Sequence, residues 1–405
     1  MGRTLALAIC LVAAALIAWH GEQPPPAAPL TAPAASFSAA RAFPDVQTIA
    51  RAPHPAGSAA NAAVRDHLLR RMTGLGLSPR VRVDDVFTVH GSTVVGGRAE
   101  TVVGVLPGRD RALAAVAVMA HYDSEPASPG GADDAAGVAA ALEMVRALKA
   151  GPTPLRDVAV ILTDGEEVDL LGARGVFAGD PLAKRIGFIV NLEARGSGGR
   201  ARMFETSPAN GETVALFARA VAAPSASSLA VTLYQLMPND TDFSVARGGG
   251  IAGVNFAFIG GQFDYHTASA TAANLDRGSL QDLGDQTLAV IFSAANAREL
   301  PRPAPDWAFH QLPAGGPLLG YPALWGWALI AGSALLLAIG GFRAVQARAL
   351  AAPDVLRGIG AGLLVLTGSA AVLRAARRAS GAGFGFLEQH WLLAQSPRFE
   401  IALIC

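Results

Sequence analysis

The sequence has no surplus of either charge and almost no cysteine. Of its 405 residues, 32 are lysine or arginine and 32 are aspartate or glutamate. No net field therefore favours nucleic acid or an acidic substrate, and no nucleic-acid partner is expected. The two cysteines, Cys10 and Cys405, lie in apolar runs at opposite ends, so we expect no disulfide between them.

Charge is also scarce overall, which indicates membrane segments. Charged residues make up 16% of the chain and hydrophobic residues 51%. Residues 1–21 are expected to form a signal anchor or signal peptide, because a short apolar run follows the first arginine. Residues 318–342 are long enough to span a bilayer and carry aromatic residues where an interfacial belt is expected. A shorter candidate, 359–373, follows.

A further apolar run begins near Phe384 and is still rising where the sequence stops. We therefore interpret residues 318–405 as a transmembrane region that has been cut short. Arginines between the first two candidate spans favour a cytoplasmic loop there, although arginines beyond the second weaken this assignment. The expected protein crosses the membrane more than once and contacts lipid through its terminal helices. Its middle lies outside the cytoplasm, in the periplasm or an equivalent lumen.

Between two proline-rich linkers, at residues 22–40 and 299–317, lies a domain predicted to span residues 41–298. Short apolar runs alternate there with helical patterns, which is typical of an α/β fold with helices on both faces of a mostly parallel sheet. The predicted strands are 101–106, 114–120, 157–163, 186–192 and 253–259. The predicted helices are 61–73, 135–150, 211–222 and 279–294.

Histidines and carboxylates follow the ends of these strands. They are His121, Asp123, Glu166, Glu167, Glu193 and His266. Open α/β sheets place their ligand sites at this edge, so we expect the side chains to converge. A divalent cation would turn the mutual repulsion of the carboxylates into attraction. Mixed nitrogen and oxygen ligands suit zinc first, with cobalt or manganese as alternatives.

Two adjacent acids, Asp133 and Asp134, stand in a loop of small residues just after His121. Asp133 could bridge two cations about 3.5–4 Å apart through its two oxygens. The Gly130-Gly131 pair would let the backbone approach closely. Asp123, two residues after His121, could accept the second imidazole N–H and fix the tautomer.

Four motifs carry a family resemblance: "HYDSEPASPGGADDAAG", "DGEEVDLLGARGV", "NLEARGSGG" and "YHT". Together they resemble the M28 zinc aminopeptidases, above all the membrane-bound branch that includes the endoplasmic-reticulum metallopeptidases and bacterial relatives. The resemblance covers about residues 45–295. It implies a three-layer α/β/α fold and hydrolysis of the N-terminal bond of peptides with a free N-terminus.

The resemblance also implies two zinc ions per chain and a role for each residue. His121 and Glu193 would hold one ion, His266 and Glu167 the other. Asp133 would bridge them, with a cis peptide bond to Asp134. Glu166 would be the general base and Asp123 would orient His121.

The sequence departs from the family pattern at Ala270, where an aspartate is usual after "YHT". Loss of that contact would weaken metal binding. Asp240 and Asp242 are interpreted either as residues that orient the His266 region or as surface carboxylates. Tyr234 is a candidate donor to an oxyanion.

Other functions remain open at this stage. One is a single-zinc enzyme like the glutaminyl cyclases, and another is a carboxypeptidase-like relative. A third is a non-catalytic membrane scaffold of the same fold, which is disfavoured because every ligand type is present. Transport is disfavoured because residues 318–342 have essentially no polar side chain.

Overall fold

The structure is a computed structural model that describes residues 2–237, 239–313 and 315–379. The chain divides into two compact units, residues 1–321 and 322–405. Within the described residues the strands are β1 Arg80–His90, β2 Thr93–Leu106, β3 Ala115–His121, β4 Val158–Thr163, β5 Ile186–Ala194, β6 Arg202–Thr206, β7 Ala252–Phe258, β8 Trp307–Gln311 and β9 Leu318–Pro322. The helices are α1 Gly2–Gly21, α2 Ala39–Ile49, α3 Ala59–Gly74, α4 Ala135–Lys149, α5 Leu171–Gly179, α6 Gly211–Ala220, α7 Ser228–Gln235, α8 Asp242–Gly248, α9 Arg277–Asn296, α10 Leu324–Gln346 and α11 Ala352–Ala379.

A seven-stranded mixed sheet forms the centre of the larger unit, in the order β1-β2-β4-β3-β5-β7-β6. The four central strands, β4, β3, β5 and β7, are parallel to one another. The outer strands β1, β2 and β6 are antiparallel to their neighbours. The carboxyl ends of the parallel strands therefore meet at one edge of the sheet.

Both faces of the sheet are covered, which explains why its strands are apolar throughout. Every residue of β3 is buried. Val116 and Val118 pack in a core cluster with side chains of α4 and α9, whereas Ala117 and Met119 pack in a second cluster with α5 and α8. Successive side chains of a strand point to opposite faces, so these two clusters are the two cores of a sandwich. The predicted three-layer α/β/α fold is confirmed.

The start of α4 fixes the position of the acidic pair. Asp134 is the N-cap residue, and its side chain accepts a hydrogen bond from the Gly137 N–H at 3.0 Å. The helix then runs through alanines that are almost all buried, because small side chains allow it to lie close to the sheet. Asp133 is therefore fixed immediately before the N-cap of α4.

The two expected linkers pack on the domain. In the first, the backbone N–H groups of Ala28 and Ala39 donate to the Gln281 side chain on α9. The second contains β8, which pairs with β9. A Cβ on Gly320 would lie 2.6 Å from the Trp307 ring, so that indole covers the glycine. The predicted start of the membrane helix at residue 318 is therefore wrong: Leu318 is buried in β9, and α10 begins at Leu324.

The smaller unit contains two helices that are long and apolar enough to cross a membrane, over Leu324–Gln346 and Pro353–Ala375. Their described side chains are mostly exposed, as expected of helices whose partner is lipid. At the other end of the chain, the apolar part of α1 is shorter. The third apolar run, from Phe384, lies outside the described residues.

Candidate active site and metal centre

The residues at the strand ends do converge. His121 is the last residue of β3, Glu193 lies near the end of β5, and His266 lies in the loop after β7. Glu166 and Glu167 follow β4 in a tight turn before α5. All the predicted site residues thus lie at the carboxyl edge of the parallel strands.

Asp133 is the centre of the arrangement. Its Oδ1 lies 3.1 Å from His121 Nε2, and its Oδ2 lies 3.1 Å from His266 Nε2. The peptide bond between Asp133 and Asp134 is cis, as the resemblance implied. One carboxylate therefore faces both imidazoles, with one oxygen toward each.

A further acid lies beside each histidine. Glu193 Oε2 is 3.9 Å from His121 Nε2, and Glu167 Oε1 is 3.2 Å from His266 Nε2. Asn191 donates to Glu193 Oε1 at 3.0 Å and so orients that carboxylate. The site therefore consists of two histidine–carboxylate pairs that share Asp133.

Asp123 holds two parts of the site together. Its carboxylate accepts hydrogen bonds from the backbone N–H groups of Glu166 and Glu167, at 3.1 and 3.2 Å. His121 Nδ1 lies 3.0 Å from the Asp123 backbone carbonyl and 3.5 Å from Asp123 Oδ1. The nearer acceptor for the imidazole is therefore the carbonyl, and the carboxylate mainly anchors the turn that carries the two glutamates.

The site is rich in buried acids, which face two histidines. Burial, together with neighbouring carboxylates, raises the pKa of Glu166 and Glu193 well above the usual value, and that of Glu167 to about 7. Burial lowers the pKa of His266, but Asp133 and Glu167 outweigh it and raise that pKa to about 10. In the part of the chain that the structure describes, no lysine or arginine forms a salt bridge with these acids.

The donor set fits a divalent metal. Ligand atoms of His121, Asp133 and Glu193 lie within 4.8 Å of one another, as do those of His121, Glu166 and Glu167. Glu167 Oε1 is buried and makes no hydrogen bond despite facing His266. Buried polar atoms rarely lack a partner, so this oxygen is suited to ligate a cation. Imidazole nitrogens with carboxylate oxygens are ligands that zinc accepts.

The loop that carries Asp133 is packed against the loop after His266. The Gly131 N–H donates to the Ala270 carbonyl at 2.7 Å, and a Cβ on Gly131 would lie 2.5 Å from the carbonyl carbon of Thr271. Ala270 itself is buried. Ala270 thus contacts the loop that carries Asp133 through its backbone carbonyl. This contact does not depend on the side chain at position 270.

The carboxylates of the α8 region do not orient His266. The Thr163 hydroxyl, at the end of β4, donates to the buried Asp242 carboxylate, whereas Asp240 is exposed and accepts from Ser244. Neither carboxylate forms a hydrogen bond with His266 in the part of the chain that the structure describes, because Asp242 bonds to Thr163 and Asp240 to Ser244, so the hypothesis that they orient His266 is wrong. Tyr234 is partly buried, and burial and nearby acids raise its pKa.

Sequence reasoning missed three residues close to His266. Glu125 Oε1 lies 3.8 Å from His266 Nδ1. The Tyr265 ring stacks on the His266 ring with centroids 3.6 Å apart. The Arg195 guanidinium lies over the Tyr265 ring, with its Cζ 5.4 Å from the ring centroid. The sequence did contain a signal for two of them. Glu125 lies four residues after the predicted ligand His121, and Arg195 lies two residues after the predicted ligand Glu193.

The fold and the donor set define a class: an α/β/α domain with a candidate carboxylate–histidine metal site. Residues 101–291 match the model of peptidase family M28. This match confirms the predicted resemblance of this part of the chain to the peptidase family.

Two of the proteins with similar sequences are named after a membrane-bounded compartment of the cell. The chain is 38% identical over 203 residues to endoplasmic reticulum metallopeptidase 1 of Mus musculus, which covers 49% of the chain and 23% of the relative. It is 32% identical over 250 residues to a vacuolar membrane protease of Candida dubliniensis, which covers 58% of the chain and 26% of the relative. The matched part of the chain thus spans about a quarter of the length of these relatives.

Solved structures support the fold alone. A zinc aminopeptidase from Bacillus subtilis has a TM-score of 0.53 at 15% identity, with 65% of this chain and 97% of that chain covered. A glutaminyl cyclase from Porphyromonas gingivalis has a TM-score of 0.50 at 18% identity, with 63% and 98% covered. Both activities therefore occur on this architecture.

Proposed function

We propose that the protein is a two-zinc aminopeptidase. The observation that carries this proposal is Asp133, whose two oxygens each face one histidine at 3.1 Å. Each histidine has its own additional acid, Glu193 for His121 and Glu167 for His266. Two equivalent ligand sets joined by one carboxylate suit a pair of ions better than a single ion.

In this proposal Glu166 transfers protons and Asp123 positions Glu166. When bound, zinc supplies Lewis acidity toward a carbonyl oxygen and toward water. Glu166 is placed to take a proton from water and return it to the leaving amine, since its carboxylate lies within 4.8 Å of ligand atoms of His121 and Glu167. Asp123 holds the Glu166 backbone, so it is a positioning residue.

N-terminal specificity is supported by the charge of the site. Glu125 and Glu166 lie beside the site but belong to neither ligand set, so their charge is not taken up by the ions and favours a cationic group of the substrate. A free N-terminal amine is such a group. Peptides with a free N-terminus are therefore the proposed substrates.

The test is metal content and leucine-anilide hydrolysis by the full chain in detergent, beside Glu166→Gln. We expect two zinc ions per chain in both proteins and turnover reduced about 10²- to 10⁴-fold in the variant. Glu299→Gln, an exposed glutamate far along the chain, is the matched control and should change neither. One zinc with cyclisation of N-terminal glutamine would support a glutaminyl cyclase, and absence of metal would support a scaffold.

We also propose that the protein crosses the membrane more than once and holds the peptidase domain outside the cytoplasm. The two spans and the membrane proteases among its relatives support this arrangement. Protease protection of sealed vesicles tests it. With the cytoplasmic face outward, residues 22–322 should be protected until detergent is added, and digestion of intact vesicles would refute this orientation.

A further inference from the structure

Arg195 stands beside the metal centre without a role in the proposed chemistry. It follows the last residue of β5, and its N–H donates to the Phe258 carbonyl at 2.9 Å, which continues the pairing of β5 with β7. Arg195 therefore directly follows the strand that carries Glu193.

The guanidinium is held one aromatic ring away from His266. Its Cζ lies 5.4 Å from the Tyr265 ring centroid, and that ring stacks on His266. The Asn239 amide, oriented with its oxygen toward the guanidinium, accepts from both terminal nitrogens at 3.1 Å. Arg195 is thus fixed from two sides.

Arg195 has no acidic partner in the described ranges. Across the described residues Arg195 forms no salt bridge, although the neighbouring site is rich in carboxylates. Those acids face the histidines instead. A partly buried guanidinium offers a planar fork of donors that matches a carboxylate in two hydrogen bonds. The Asn239 oxygen uses two of the five guanidinium N–H donors, which leaves donors for a carboxylate.

We propose that Arg195 binds a carboxylate on the substrate residue that leaves as the amine product. This inference rests on the proposed peptidase function. The Tyr265 ring lies 3.6 Å from the His266 ring and 5.4 Å from Arg195 Cζ. A peptide residue spans about 3.3–3.6 Å and a charge-assisted hydrogen bond adds about 2.7–2.9 Å, so a carboxylate on the residue after the cleaved bond lies within reach of Arg195. The carboxylate is either the free C-terminus of a dipeptide or an acidic side chain at that position.

The test compares kcat/KM on matched substrates. The pair Leu-Ala and Leu-Ala-amide isolates the terminal carboxylate, and the pair Leu-Glu-amide and Leu-Gln-amide isolates the side chain. We expect the wild type to prefer the acid of one pair by about tenfold or more, as charge-assisted hydrogen bonds provide. Arg195→Gln should bring that ratio close to one, and Arg195→Lys should restore part of it.

Two other variants complete the design. Arg219→Gln, an exposed arginine on α6, should leave the ratio unchanged. Asn239→Asp, which leaves Arg195 in place, should lower the ratio because its new carboxylate occupies the guanidinium. This second variant keeps the test decisive if Arg195→Gln does not fold.

The outcomes separate this inference from the proposed function. A wild type without preference, or an Arg195→Gln variant that loses acid and amide substrates equally, would overturn the role of Arg195. Leucine-anilide hydrolysis by the wild type reports on aminopeptidase activity independently. Hydrolysis of N-acetyl-Leu-Ala would refute the aminopeptidase assignment while a retained acid preference would uphold the Arg195 site.

Discussion

Replacing Gly131 by alanine should damage the metal centre without touching any ligand. A Cβ at this position would lie 2.5 Å from the Thr271 carbonyl carbon and 2.8 Å from the Ala272 nitrogen. Carbon atoms in contact normally stay about 3.5–4.0 Å apart, so the two loops must separate by about 1 Å. The obstructing atoms are backbone, and no side-chain rotation relieves the overlap.

The expected loss follows from what the two loops carry. Gly131 precedes Asp133 by two residues, and the opposing loop begins with His266. Separation would therefore pull Asp133 Oδ2 away from His266 Nε2, which now lie 3.1 Å apart. A displacement of this size can cost about 100-fold in rate, and the overpacking itself costs about 1–3 kcal/mol of stability.

Zinc content and kcat/KM on leucine anilide would be measured for Gly131→Ala. Gly74→Ala is the control, because Gly74 ends α3 and has no atom within 4 Å of the added Cβ. We expect the control to match the wild type. A Gly131→Ala protein with full zinc content and activity within twofold of wild type would refute the reasoning.

Three further predictions concern stability. Arg200 and Asp282 form a buried ion pair at 2.6 Å, so Arg200→Met should lower the free energy of unfolding by about 3–5 kcal/mol in urea titrations, and a smaller loss in the double replacement with Asp282→Leu would identify the unpaired charge as the cause. Burial raises the pKa of Asp45, but hydrogen bonds from its basic neighbours outweigh it and lower that pKa. This stabilisation is present above the unfolded pKa, about 3.9, and is lost as the pH falls through the lowered folded pKa, so the urea-midpoint difference between wild type and Arg71→Gln should be larger at pH 7 than at pH 3. An equal difference at both pH values would contradict this. A chain ending at residue 315 should melt at a lower temperature than one ending at 322, since it loses β9 and the packing of Gly320 against the Trp307 ring.

The sequence was sufficient to predict the core of the fold, because the central strands are buried on both faces and so form continuous apolar runs. The strand β3, predicted as 114–120, runs over Ala115–His121. The edge strand β1 was missed because its residues alternate between polar and apolar and many stay exposed. The pair β8–β9 was missed because proline-rich flanks resemble a linker, and its stability comes from a contact distant in sequence.

For the site, the sequence indicated which residues gather but not how they are held. Ligand types at strand ends predicted the meeting of His121, Asp133 and His266. The side-chain partner of Asp123 could not be predicted, because the N–H groups it accepts from belong to a turn whose shape depends on tertiary packing. The position of Arg195 could not be predicted for a similar reason: it lies near His266 only because both contact the Tyr265 ring in the folded chain.

The shared carboxylate also has a consequence for chain entropy. Asp133 is 12 residues from one histidine and 133 residues from the other. Closing the longer loop costs about 2 kcal/mol more by the logarithmic dependence on loop length. An ion bound by Asp133 and His266 would therefore tie the loop between β7 and α9 to the start of α4. When metal is withdrawn, amide exchange should accelerate in the segment around His266 before it accelerates around His121.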